Sequence, residues 1–245
     1  MYDPPGYLWA ITIAGPIAVA AVTCAVLYSG GVRAGLGRRR AALLAGAAAV
    51  VFGGWLTASA VIAGHGWYRT LPWFPVAVTG YLGVLLALRR IPVVARALAS
   101  PGMVSRLELP HAPRVAGVAF LLYLALGHLP ALFALPAGLG DIATGLAAPL
   151  AARRLAHGAG RRGALWYNAF GVADLVVALT LGALTGFQLL NVTPSSAPIT
   201  ELPLALIPTA TVPLLLVLHI TAVPALLTAP RAPLPATAPL PATAK

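Results

Sequence analysis

The chain has 245 residues, of which 60% are hydrophobic and only 9% charged, whereas an ordinary soluble domain carries roughly a quarter charged residues. A soluble fold of this size could not hide so much apolar surface, so the composition, with a mean hydropathy of +0.90, predicts an integral membrane protein. A single cysteine, Cys24, excludes a disulfide framework, a CxxC site or a thiolate-held cluster.

In chain order, Met1–Gly6 carries Asp3 and no basic residue, unlike the n-region of a cleaved signal peptide, so the first apolar segment is expected to be retained. A spanning helix needs about 20 apolar residues. Seven stretches qualify: Tyr7–Tyr28, Ala41–Ala63, Pro72–Leu88, Val115–Ala134, Leu135–Ala152, Ala164–Leu190 and Leu202–Thr228. The third and fifth are short. The sixth is long and is expected to tilt or end early near Gly182–Gly186. The fourth and fifth come from one apolar run, interrupted by Pro130 and Pro136. The loop Arg89–Arg114 is rich in proline, and a short interfacial helix is expected around Pro92–Ser100. Beyond residue 228, Pro233–Ala238 and Pro239–Ala244 both read PLPATA; such a segment cannot build a core. The expected organisation is all-α: a single seven-helix domain over 1–228 and a disordered Pro/Ala-rich cytoplasmic tail over 229–245.

The net charge of +11 would suggest nucleic acid in a soluble protein. Here the charges sit at segment ends. Fifteen of the sixteen basic residues follow the first, third, fifth and seventh segments, and only Arg69 falls on the other side. By the positive-inside rule this predicts an outside N-terminus and a cytoplasmic C-terminus in a cell membrane. The expected partner is the lipid bilayer, not nucleic acid. The preference for arginine over lysine and the alanine bias suggest a high-GC bacterial source.

Ionisable groups inside a membrane are expensive and are functional candidates by default. Asp141, Asp174, His128 and His219 fall within the expected spans, whereas Glu108 lies near a helix end and His111 in an inner loop, where it reads as solvated. Folding the hairpins in half brings the four to similar depth if the fourth and fifth spans turn near Ala134–Leu135. Asp141 shares a face with Gly138, Thr144 and Gly145, and Asp174 with Tyr167, Gly171 and Ala178. Small-residue faces are where membrane helices approach closely, so both acids are expected to point inward, with no basic partner in any span. Pro203, Pro208, Pro213 and Pro224 break the last span, and broken helices in membranes line protein or a cavity.

These residue types admit several chemistries. Gly138-Leu139-Gly140-Asp141 matches the GxGD motif of intramembrane aspartyl proteases, but their partner aspartate precedes that helix, and no earlier span here holds an acid. Close packing beside a buried polar group is the preferred reading. A metal site on His128, His219, Asp141 and Asp174 lacks the HxxxH pair of seven-span zinc hydrolases. The only lysine is Lys245, which excludes a retinal Schiff base. No metal or cofactor is expected.

Leu135–Pro149 (LPAGLGDIATGLAAP), Trp166–Ala178 (WYNAFGVADLVVA) and Leu202–His219 (LPLALIPTATVPLLLVLH) resemble a family of bacterial polytopic membrane proteins that carries no assigned activity. The resemblance covers the C-terminal half and implies that Asp141, Asp174 and His219 fall inside recurring motifs, with His128 outside them. It supplies no substrate. The expected function is binding or movement of a small molecule, proton or cation through an intramembrane polar layer. The alternatives are an intramembrane hydrolase, metal-dependent or aspartyl, and a structural or interaction subunit.

Overall fold

The computed structural model describes residues 4–228, and among these it is helical, with no strand. The α-helices are α1 (Gly6–Arg33), α2 (Arg38–Gly64), α3 (Trp73–Leu88), α4 (Pro92–Leu98), α5 (Met103–Leu107), α6 (Val118–Ala125), α7 (Ala131–Ala156), α8 (Arg161–Gly186) and α9 (Val212–Thr228). Short 3-10 segments lie at Trp67–Arg69, Leu109–Gly117 and Ala197–Thr200, and a π-helical turn at Ile207–Thr211 leads into α9. Five helical stretches are long and apolar enough to cross a membrane: α1, α2, α7, α8 and Ile207–Thr228. A sixth is counted if α3 and α4, which meet at 84°, form one broken span. Large apolar side chains such as Leu43, Val50, Val61, Leu139, Leu146 and Trp166 are exposed on the outer faces.

The central post is α9. Every residue from Val212 to His219 is buried, as expected of a helix that is hydrophobic all round. It packs against α3 and α8, while α7 lies along α8 and the Leu109–Gly117 segment, and α1 packs on α2 and on that same segment. One apolar cluster gathers Val19, Phe52, Tyr81, Leu175 and Leu215. The other gathers Leu8, Tyr68, Phe74, Phe120 and Phe133.

The prolines of the last segment have a local consequence. Pro213 has no N–H to offer the carbonyl of Thr209, four residues earlier. That carbonyl instead accepts from the indole Nε1 of Trp55 on α2, at 2.8 Å. The Thr209 hydroxyl lies 2.6 Å from Ser59 Oγ, to which the Tyr68 hydroxyl donates at 3.1 Å. The carbonyl freed by Pro213 is thus taken up by a side chain of α2, beside a hydroxyl chain that joins Thr209, Ser59 and Tyr68.

The fourth and fifth elements differ from expectation. Their turn is Leu126–Pro130, not Ala134–Leu135. Gly127 has φ +75°, and the amides of Gly127 and His128 bond back to Leu124 and Tyr123, a left-handed glycine cap that ends α6. Pro130 then precedes the first residue of α7, whereas Pro136 is carried inside it. The expected span Val115–Ala134 is replaced by a rod over 109–125, 3-10 first and α afterwards. The short helix expected around Pro92–Ser100 is α4, and α8 ends at Gly186. The tail expected over 229–245 lies outside the described residues.

Substituting Trp55→Phe orphans the Thr209 carbonyl and should cost about 1–3 kcal/mol of stability, read as a lower thermal midpoint in detergent. Adding Pro213→Ala restores a backbone donor and should recover part of that loss. No recovery would mean that the indole stabilises the bundle by some other contact.

Candidate functional site

The site grows from the 3-10 segment. Pro110 lies in the first turn of Leu109–Gly117, where a missing N–H costs nothing, and Pro113 inside it removes one ladder donor; the segment winds as a 3-10 helix. At three residues per turn, side chains three apart eclipse one another. Glu108, His111, Arg114 and Gly117 therefore fall on one stripe. All four are buried. In an α-helix the same positions would drift round the axis, and Arg114 would not share a face with Glu108.

Arg114 reaches across three helices. Its Nε donates to Asp141 Oδ1 of α7 at 2.7 Å, its Nη2 donates to Asp174 Oδ2 of α8, and its Nη1 lies 3.4 Å from His219 Nε2 of α9. The guanidinium side chain is only 1% exposed. A planar fork of five donors can serve three partners at once, which a lysine ammonium could not do with this spread. Burying it is tolerable because two carboxylates face it.

Glycines make the room. A Cβ on Gly117 would run into the Asp141 side chain, one on Gly140 into the Asp174 carboxylate, and one on Gly171 into the His219 ring. Each charged or ring side chain thus lies directly on the backbone of a neighbouring element.

A second set of polar groups continues from His219. Asn168 Nδ2 donates to Glu108 Oε1 and to the Ala164 carbonyl, each at 2.8 Å. Its oxygen is then the acceptor for His219 Nδ1, at 2.7 Å, which leaves the His219 Nε2 lone pair facing Arg114. The His111 and His219 rings stack with centroids 3.8 Å apart. The Tyr167 ring lies 6.1 Å from the first and 5.9 Å from the second. Both ring nitrogens of His111, Oε2 of Glu108 and the Tyr167 hydroxyl are buried without a hydrogen-bond partner among the described residues. Burial pushes the Glu108 carboxyl up to about 7, against the opposing Asn168 hydrogen bond.

Asp141, Asp174 and His219 all contact one residue, Arg114, which the sequence reading leaves in a loop. Arg114 overturns the expectation that the acids have no basic partner. His111 and Glu108, read as lying in or near solvated segments, are fully buried. His128 does not join them. It lies in the α6–α7 turn, and Asp141 sits ten residues into α7, about 15 Å along its axis. The missed signal was the three-residue spacing of Glu108, His111, Arg114 and Gly117 across two prolines. In the GLGD stretch, Gly138 abuts Leu121 and Gly140 abuts Asp174, and each carboxylate pairs with the guanidinium. Gly182 packs against Ile199 and Phe133.

A family model described as "Domain of unknown function (DUF8737)" matches residues 71–227, which is well over half of the chain, and the chain belongs to that family. The matched region holds every residue of the cluster, from Glu108 to His219, and leaves out α1 and α2. No curated protein and no solved structure matches the chain.

Removing one member of a buried ion pair costs about 3–5 kcal/mol. Arg114→Ala should therefore lower the thermal midpoint steeply, and adding Asp141→Asn with Asp174→Asn should restore much of it. A triple variant no more stable than Arg114→Ala would show that unpaired charge is not the cause. Gly140→Ala should also destabilise the protein, because its methyl group would enter the Asp174 carboxylate. Gly80→Ala, which meets nothing within 4 Å, should be neutral or slightly stabilising by helix propensity. The two glycine variants are compared in the same unfolding assay.

Proposed function

We propose that the chain is a seven-span protein of a bacterial cytoplasmic membrane that binds and moves a proton, small cation or small molecule through the polar layer of Asp141, Asp174 and His219. Five spans are the long apolar helices. The other two are α3 and the rod over 109–125, which reaches about 30 Å at 3-10 and α-helical rises, the thickness of a bilayer core. The N-terminus lies outside and the C-terminus in the cytoplasm. This orientation is supported by twelve described arginines around the α1–α2, α3–α5 and α7–α8 connections. Arg161 ties the start of α8 to the end of α9 by donating to the Leu227 carbonyl at 2.5 Å. Arg69, on the opposite side, pairs with Glu201 at 3.0 Å. Arg114 leaves the orientation count, because it is buried at the site.

The observation that carries the reading is a charge imbalance. Asp141 and Asp174 share one guanidinium, so the ionised trio keeps one uncompensated negative charge among apolar helices. Isolated charge in such surroundings is expensive, and a proton or a small cation neutralises it. Two spaces of about 30 Å³ each touch Asp141, one reaching α1 and the other α8. Each is large enough for one water molecule. Both are lined by Ile207 and Val212 of the broken last segment. A rearrangement of that π-helical turn would widen or close the approach to Asp141, which makes it the moving element.

Proteoliposomes with an interior pH dye and an imposed proton gradient test this. The native chain should acidify the lumen several-fold faster than protein-free vesicles, and the Asp141→Asn, Asp174→Asn double variant should lose at least nine-tenths of that rate. The reading falls if native and protein-free vesicles behave alike under proton, sodium and potassium gradients. It also falls if the double variant transports at the native rate.

A further inference from the structure

We infer that Glu108, His111 and His219 form a binding site for one divalent transition-metal ion of the zinc type, beside the Arg114 cluster; the inference rests on the polar-layer reading and names a ligand for it. One ligand atom from each residue lies within 4.8 Å of the others, and all three residues are buried. Bonds of 2.0–2.1 Å around a tetrahedral ion put neighbouring ligand atoms about 3.3 Å apart. The three ligand atoms thus need to close by up to about 1.5 Å, and the stacked His111 and His219 rings need to rotate out of their near-parallel packing so that both in-plane lone pairs meet the ion.

Four observations favour a metal ion over a self-contained hydrogen-bond network. First, a fully buried histidine with neither nitrogen hydrogen-bonded is costly, and His111 is in that state, with Glu108 Oε2 beside it in the same condition. A metal ion would take one lone pair from each. Second, the orienting shell is present. The Asn168 amide donates to Glu108 Oε1 and accepts from His219 Nδ1, which leaves Glu108 Oε2 unpartnered and turns the His219 Nε2 lone pair away from Asn168, where its one contact is Arg114 Nη1 at 3.4 Å, a long contact that the ion would replace. A ligating histidine with its other N–H fixed by a carbonyl oxygen is the usual arrangement around protein-bound metals. Third, the charge closes. One guanidinium and three carboxylates (Asp141, Asp174 and Glu108) sum to two negative charges, which one divalent cation cancels. Fourth, Asp141 and Asp174 are occupied by Arg114, so they balance charge without competing as ligands.

Two imidazoles and one carboxylate suit zinc or a neighbouring transition metal and disfavour magnesium and calcium, which want oxygen ligands. The Tyr167 ring lies about 6 Å from both imidazoles, and its hydroxyl is buried and unpaired. This set differs from the one that sequence spacing suggested: His111 and Glu108 replace His128 and the two aspartates. Glu108 and His111 are neighbours on the 3-10 stripe, and the bundle brings His219 to them.

The test is metal binding by the full chain, purified in detergent without a polyhistidine tag and stripped with a chelator. Zinc, and cobalt as a spectroscopic stand-in, should bind at one equivalent per chain with micromolar or tighter affinity. Bound cobalt should show the visible bands of a four-coordinate site with nitrogen and oxygen ligands. Glu108→Gln and His111→Gln should each weaken binding at least tenfold, whereas His65→Gln with His157→Gln should leave it unchanged. The native protein's cobalt spectrum is decisive by itself if a variant fails to fold. No stoichiometric metal, an octahedral spectrum with oxygen ligands only, or equal binding by folded Glu108→Gln, His111→Gln protein would overturn the site. Proteoliposome flux with chelator present separates the two readings. Flux without metal binding would sink the metal site and leave the polar layer standing. Absence of both would remove both.

Discussion

Everything near the middle of this bundle depends on one buried guanidinium. Arg114 pairs with Asp141, Asp174 and His219, so α7, α8 and α9 are cross-linked through a single side chain on a fourth element. Such a charge is stable in apolar surroundings only when its partners are held in place. The surroundings accordingly look built for it. Glycines at 117, 140 and 171 let the charged and ring side chains lie against backbone. Ridges of larger residues at those positions would push the helices apart and separate the guanidinium from its acids.

The two proline-rich segments play opposite parts. Leu109–Gly117 carries its prolines in a 3-10 helix, whose three-residue turn lines Glu108, His111 and Arg114 up on a single face. In the last segment, Pro208 and Pro213 interrupt the helix beside the site, and Trp55 takes over the Thr209 carbonyl left free by Pro213. One break assembles the charged stripe. The other puts a deformable turn against the spaces that touch Asp141. The same architecture thus concentrates charge in a place where the neighbouring backbone can change.

Much of the fold was legible because hydrophobic length is a strong local signal. The stretches around α1, α2, α7, α8 and α9 stand out from composition alone, and Asp141, Asp174 and His219 stood out as ionisable groups in apolar runs. The error lay in one boundary. The apolar run from Val115 to Ala152 has no charge between Arg114 and Asp141 to mark a turn, and the cap that ends α6 relies on Gly127 adopting positive φ. Placing the turn near Ala134–Leu135 pulled His128 into the layer and left Arg114 in a loop. A turn at Leu126–Pro130 reverses both assignments.

What the sequence determined by itself was an all-helical chain with long apolar segments and two acids and a histidine embedded in them, because helix length and charge avoidance are written in consecutive residues. Only the tertiary structure decided that Arg114, Glu108, His111 and Asn168 join that group. Their partners in the group lie 27 to 108 residues away. A loop-like, proline-spaced segment enters the interior only because α1 and α7 enclose it. The cost of burying its charges is offset by carboxylates on other helices, and a balance of that kind exists only once the helices have met.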